Sequence, residues 1–202
     1  MKIICIGRNY VEHIKELGNK TPDNPVIFFK TQDSLSFKNE IKHPNFTKEL
    51  HHEIELVYKI SKGGKNIKKV KLKNYISEIG LGIDFTARDI QNSFKSKGLP
   101  WSFSKSFDDS APISNLIKID KFNNLDNITF SLKKNDLLVQ KGNSNLMIYN
   151  IEYLIEYISK FITLEKGDLI FSGTPKGVGK VEIGDKLEGF INDEKLLDII
   201  II

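Results

Sequence analysis

Cysteine is almost absent: Cys5 is the only one in 202 residues, so no disulfide can form within the chain and the fold must rest on its core. Its place in the alternating apolar segment Ile3 to Ile6 marks a buried thiol rather than a nucleophile. Long apolar runs are also missing. No stretch approaches the roughly 18 apolar residues of a membrane span, and the N-terminal run is too brief for a signal peptide, so a cytoplasmic protein without a membrane partner is expected. Repeats, low-complexity tracts and Pro/Gly/Ser linkers are lacking, which leaves one domain over residues 1–202. Arginine is scarce as well: Arg8 and Arg88 are the only two among 30 basic residues. Where lysine supplies nearly all positive charge, two planar guanidiniums point to positions where geometry matters.

The net charge of +4 is mild, and the lysines are interleaved with 26 acids. The densest basic run, Lys68 to Lys73, has no neighbouring aromatics and reads as a solvated loop and strand edge rather than a phosphate track. A nucleic-acid partner is therefore not expected.

What is present is mostly strand signal. Residues 2–6, Val26 to Lys30 and Leu81 to Phe85 read as short buried strands, and His52 to Ile60 alternates with period two. Tyr10 to Leu17 has the spacing of a short helix ending near Gly18, and Asn74 to Ile79 is a second, weaker helix pattern. Thr86-Ala87-Arg88-Asp89 fits a capping box opening a helix that Gly98-Leu99-Pro100 closes. In the second half, Asn127 to Leu132 and Leu137 to Gln140 form a hairpin, and Asn150 caps a helix with Ile151, Leu154, Ile155, Ile158 and Phe161 on one stripe. Strands follow at Asp168 to Ser172, Lys186 to Ile191 and Leu196 to Ile202, the last so apolar that it must be paired or covered. The architecture expected is α+β and β-rich, a sandwich-like roll.

Chemistry concentrates in a few places. Period two puts Glu53 and Glu55 on one strand face; they are an ordinary polar-out pair, or two carboxylates turned inward around a cation. Asp84, ending an apolar strand just before a helix start, supplies a third acid. Three carboxylates favour a hard cation such as Mg²⁺, Mn²⁺ or Ca²⁺, with zinc through His51 or His52 as the other reading. His13 and Glu16 share a helix face, so the carboxylate can orient the imidazole as a base, although the same spacing suits a solvated face. Arg88 and Gln91 share a face beside Asp84, as site residues or as surface. The run Gly173 to Lys180 fails the G-x-x-x-x-G-K-S/T phosphate-loop spacing. It can still turn backbone N–H groups and the Thr174 hydroxyl toward a carboxylate, or serve only as a turn.

Six ordered segments resemble the fumarylacetoacetate hydrolase superfamily, particularly its short members related to acylpyruvate hydrolases and oxaloacetate decarboxylases. They are Gly7-Arg8-Asn9-Tyr10 with His13 and Glu16, His51 to Leu56, Asp84 to Gln91, Gly98-Leu99-Pro100-Trp101, Lys105 to Asp108, and Gly173 to Gly179. The resemblance implies the mixed β-sandwich roll of the family's C-terminal domain, without the extra N-terminal domain of larger members, and a homodimer. It implies a Mg²⁺ or Mn²⁺ site of Glu53, Glu55 and Asp84, with Ca²⁺ able to replace them in crystals. Lys105, Arg8, Arg88, Gln91, Gly173 and Thr174 would surround a small 2-oxo or β-diketo acid. His13 and Glu16 would form a catalytic dyad on a segment that orders as a lid. Two departures stand out, Thr31 where a proline follows the lysine of a Phe-x-Lys-Pro segment, and Asn135-Asp136 where the family carries an Asn-Gly hairpin. The activity implied is C–C hydrolysis of an acylpyruvate-like acid through a metal-stabilised enolate, ranked first because both dyad residues are present. Oxaloacetate decarboxylation, isomerisation of an unsaturated 2-oxo diacid, and a catalytically silent ligand-binding role follow in that order.

Overall fold

The computed structural model describes residues 1–68 and 70–202; Lys69, inside the basic run, lies outside the described residues. Two large sheets dominate. The first runs in the order Ile117–Lys118, Ile76–Ile83, Ile54–Ile60, Leu169–Phe171, Ile3–Gly7, Val26–Lys30, with one parallel pairing between Ile3–Gly7 and Leu169–Phe171. The second runs Leu137–Asn143, Thr129–Lys134, Lys186–Ile191, Glu194–Ile201, Glu40–Ile41, and its last pairing is parallel. Leu56 and Leu81 of the first sheet pack with Phe130, Leu132, Leu187 and Ile199 of the second, giving the β-rich sandwich roll. Each such fully buried side chain contributes about 1.5–3 kcal/mol of transfer free energy. The helix Ile151–Phe161 joins the same core through Leu154, Ile155 and Ile158, and Asn150 caps it by accepting the Tyr153 N–H at 2.9 Å.

The opposite face of the first sheet carries a smaller cluster of Ile3, Cys5, Val57, Ala111 and Phe171. Because both faces are covered, the Ile54–Ile60 strand is buried at every position except Lys59, and Glu55 shares the face of Val57 rather than meeting water. Burial pushes the Cys5 thiol well above its usual range, which leaves it inert.

Several local expectations change. The Val26–Lys30 strand is an edge, and its one buried residue is the charged Lys30. Asn74 to Ile79 is not a helix: a single turn, Leu72–Tyr75, gives way to the strand Ile76–Ile83. Local propensity yields there to seven residue pairs against Ile54–Ile60, helped by Gly82, where a Cβ would fall 2.5 Å from the Phe171 ring. Thr86 is not a cap. It belongs to the strand Thr86–Ala87, and the helix Arg88–Ser96 begins after Ala87 with no side-chain cap. Phe161 ends the last helix 64% exposed, because the apolar stripe turns past the core one helical step earlier. The C-terminal strand is covered as expected, with partners on both sides. Asn135 and Asp136 both take left-handed φ values, 50° and 66°, so the hairpin keeps a primed turn without the usual glycine.

Candidate metal centre

The antiparallel register of Ile54–Ile60 with Ile76–Ile83 sets Ile54 opposite Ile83 and Glu55 opposite Gly82. One residue further, the Asp84 N–H donates to the Glu53 carbonyl at 2.8 Å. Strand pairing therefore brings three acids remote in sequence to one point. Glu53, Glu55 and Asp84 each offer an oxygen within 4.8 Å of the others, and all three are buried. Uncompensated, such a group is strongly repulsive.

Three cations meet it. The Lys105 ammonium, from the short helix Ser102–Lys105, donates to Asp84 Oδ2 at 2.6 Å, Thr86 Oγ1 at 2.7 Å and Glu53 Oε2 at 2.8 Å. Burial alone would lower Lys105, but the carboxylates of Asp84 and Glu53 outweigh it and raise its pKa. Arg88 donates through Nη2 to Glu53 Oε1 and through Nη1 to Gln91 Oε1, the latter at 2.6 Å. Burial of Glu53 is overcome by Lys105 and Arg88, which hold its carboxyl well below the usual range. Lys30 Nζ lies 2.9 Å from Asp84 Oδ1, yet its protons are directed to the Ser110 carbonyl at 3.0 Å, the Ser110 hydroxyl at 3.1 Å and the Lys105 carbonyl. Asp84 Oδ1 is left buried without a hydrogen bond.

Glu55 differs from its two neighbours. Its hydrogen bond is the Gly173 N–H at 2.7 Å, and burial, then Asp84 and Glu53, push its carboxyl well above the usual range. A carboxyl raised in this way and an Asp84 oxygen buried without a hydrogen bond suit a cation held among the three acids. All-carboxylate donors suit a hard divalent ion. The histidines lie outside: His52 pairs with Gln140 Oε1 at 2.9 Å and His51 with Glu49 at 3.3 Å, so the zinc reading loses its ligands. Burial lowers His52 to about 4.

A cavity of about 30 Å³ opens over the acids, bordered by His13, Arg8, Arg88, Gln91, Lys105 and Thr174. It has room for about two waters. The Val11–Glu16 helix, through His13, and the loop after it, through Leu17 and Asn19, form one wall of this space. His13 Nδ1 lies 3.3 Å from Glu16 Oε2, and Glu16 Oε1 accepts the Gly177 N–H at 2.9 Å. Burial lowers the His13 pKa, countered in part by Glu53 and Glu16, so the ring is neutral near pH 7 and can act as a base.

Two expected substrate donors are already engaged. The Gly173 amide serves Glu55, while the Thr174 hydroxyl donates to the Ile54 carbonyl at 2.8 Å and accepts from Gln140 Nε2 at 2.9 Å. Both residues border the acids, but they order the carboxylate strand rather than offering spare protons. Gln140, buried on the second sheet, also accepts the Ile54 N–H at 3.1 Å and so ties the two sheets together beneath the site. Asn9 likewise fixes the chain just before the Val11–Glu16 helix, donating to the carbonyls of Ser172 at 2.8 Å and Tyr149 at 3.0 Å. In the sequence Thr86 reads only as a helix cap, Asn9 and Lys30 only as members of family-like segments, and Gln140 and Lys95 carry no site signal. A charge ending an apolar strand was the one available signal, for Lys30.

Comparison with known proteins agrees with this geometry. The fumarylacetoacetate (FAA) hydrolase C-terminal family matches residues 2–199. The chain is 39% identical over 191 residues to "Oxaloacetate tautomerase FAHD1, mitochondrial" of Bos taurus, covering 94% of this chain and 86% of that protein. It is 42% identical over 189 residues to "Oxaloacetate decarboxylase, mitochondrial" of Dictyostelium discoideum, covering 93% and 87%. Among solved structures, fumarylpyruvate hydrolase from Pseudomonas aeruginosa in complex with Mn²⁺ and pyruvate superposes with a TM-score of 0.94 at 32% identity, covering 100% of this chain and 89% of that one. A yeast fumarylacetoacetate hydrolase family protein gives 0.84 at 35% identity, covering 99% and 92%.

Proposed function

Because the chain belongs to the fumarylacetoacetate hydrolase C-terminal family, whose named relatives are enzymes, we propose that it acts on an oxaloacetate-like 2-oxo acid held at a divalent cation, by decarboxylation or keto–enol tautomerisation. The sequence ranking placed acylpyruvate hydrolysis first. The names of relatives about 40% identical over almost the whole chain move oxaloacetate chemistry ahead of it.

The observation that carries the reading is the meeting of Glu53, Glu55 and Asp84 under the Lys105 ammonium. Glu53, Glu55 and Asp84 would hold Mg²⁺ or Mn²⁺, which would supply Lewis acidity toward a 2-oxo acid. The residues of the chain do the rest. Lys105 and Arg88 place fixed positive charge beside the oxygen on which negative charge grows, in a buried site where such interactions are strong. His13, neutral and oriented by Glu16, takes the proton from the carbon next to the 2-oxo group and delivers it to the 2-oxo oxygen, or carries it the other way from enol to keto form; tautomerisation requires this transfer, whereas loss of CO₂ needs no C–H bond broken. For hydrolysis the same ring would deprotonate water instead.

Following oxaloacetate as keto form, enol form and pyruvate, beside acetylpyruvate, separates these outcomes. The expectation is oxaloacetate turnover that needs Mg²⁺ or Mn²⁺. Turnover of acetylpyruvate alone would restore hydrolysis to first place.

A further inference from the structure

One wall of the cavity carries positive charge that the three acids do not balance. Lys95, on the helix Arg88–Ser96, and Arg8 both border the cavity. Lys95 Nζ lies over the Trp101 ring at 5.2 Å from its centroid, and the Arg8 guanidinium over the same ring at 5.9 Å. Neither forms an ion pair among the described residues. The hydrogen bond of Arg8 goes to a neutral group, Asn19 Oδ1, at 3.0 Å. Arg8 also holds a left-handed φ of 58°, a conformation that costs an arginine about 1 kcal/mol and that persists where the surroundings fix it. Half-burial, then the charges of Arg88, Arg8 and Lys105, lower Lys95 to about 8, with Glu53 opposing. Positive groups gathered against one another in a closed space are disfavoured unless an anion joins them.

We propose that Lys95 and Arg8, stacked over Trp101, form a second anion site that takes the distal carboxylate of a 2-oxo diacid whose 2-oxo head sits at Glu53, Glu55 and Asp84. This rests on the function proposed above and narrows it to dicarboxylic substrates. The aromatic floor has a role of its own. Trp101, packed edge-on against Phe28 at 6.1 Å, holds both cations by its π face while leaving their N–H groups for the ligand. Lys105, over Phe28 at 5.0 Å, belongs to the acid end, so the two ends of the cavity select opposite parts of one molecule.

The test uses the full chain loaded with Mn²⁺ and titrated calorimetrically with oxalate, which carries the chelating head and no distal group; lactate and malate, the unreactive 2-hydroxy counterparts of pyruvate and oxaloacetate, then compete for the oxalate site. Wild-type protein should bind malate roughly 10- to 100-fold more tightly than lactate. Lys95→Met should remove that preference by weakening malate alone, and Lys95→Arg, which keeps the charge, should restore it. Equal weakening of both competitors by Lys95→Met, or an unchanged preference, would overturn the second site. Oxalate binding that is indifferent to Mn²⁺ would instead overturn the metal-centre reading, so the two failures are distinct.

Discussion

The Glu16 carboxylate accepts a hydrogen bond from the Gly177 amide at 2.9 Å, across 161 residues of chain. The Val11–Glu16 helix is thereby latched to the loop that also supplies Gly173 to Glu55. Gly177 has φ +97°, and a Cβ there would fall 2.0 Å from the Val139 carbonyl. Gly177→Ala must therefore displace the loop, and turnover of oxaloacetate should fall roughly 10- to 100-fold while Mn²⁺ affinity holds. Comparing kcat with the calorimetric Mn²⁺ affinity of the same variant checks this; loss of both together would mean that the loop matters to the acids and not to the Val11–Glu16 helix.

Glu55 gives the metal-free protein a defined pH response. Its folded pKa lies above the ordinary 4.5, so the folded state holds a proton that the unfolded state has released. The resulting stability is complete below about 4.5 and is lost as pH rises through the raised folded value. Denaturant melts of chelator-treated protein at stepped pH should show this decline, and Glu55→Gln, which mimics the protonated acid, should remove it. A decline of equal slope in the variant would assign the effect elsewhere.

Gln140 is engaged on both ends of its amide, by His52 and the Ile54 N–H at the oxygen, and by Thr174 and the Pro175 carbonyl at the nitrogen. Gln140→Leu leaves these buried groups without partners and should cost about 2–4 kcal/mol. Chemical denaturation measures it; a cost below about 1 kcal/mol would show that the neighbours repartner readily.

Lys95 predicts a second pH effect, on ligand affinity rather than on stability. A bound carboxylate favours the ammonium, so the complex takes up a proton above the free value of about 8, and affinity for a diacid falls as pH rises past it. The groups facing Lys95 are Arg88, Arg8 and Lys105, which hold its pKa down, and Glu53, which raises it. Malate competition measured from pH 7 to about 9.5 should weaken by up to about tenfold per unit above 8, and the curve should flatten in Lys95→Arg.

The carboxylates were legible because strand periodicity is local: alternation alone set Glu53 and Glu55 on one face. Asp84 could be seen as an acid at a strand end, but its meeting with the pair depends on the register of two strands, which no local pattern encodes. The cations show the limit more sharply. Lys95 shares its sequence signal with some two dozen other lysines and only three-dimensional packing distinguishes it, while Lys105 stood out only through the family resemblance and Lys30 only as a charge ending an apolar strand. Thr86 misled for a physical reason: its position before Arg88-Asp89 satisfies the capping rule, yet its hydroxyl accepts from Lys105, a bond from a partner 19 residues away. Asn74 to Ile79 failed similarly, since pairing with a buried strand outweighs a weak helical preference.

The central claim is that three buried acids hold one divalent ion on which activity depends, and Glu55 is the place to test it, because among the three it alone has no cationic partner and can change without stranding a buried charge. Mn²⁺ titrated calorimetrically into chelator-treated wild-type and Glu55→Gln protein, with oxaloacetate turnover followed on the same samples, is the direct measurement. One ion per chain, at least about tenfold weaker in the variant, with turnover that rises and falls with occupancy, is the predicted result. Equal Mn²⁺ affinity in the two proteins, or turnover untouched by chelator, would contradict it.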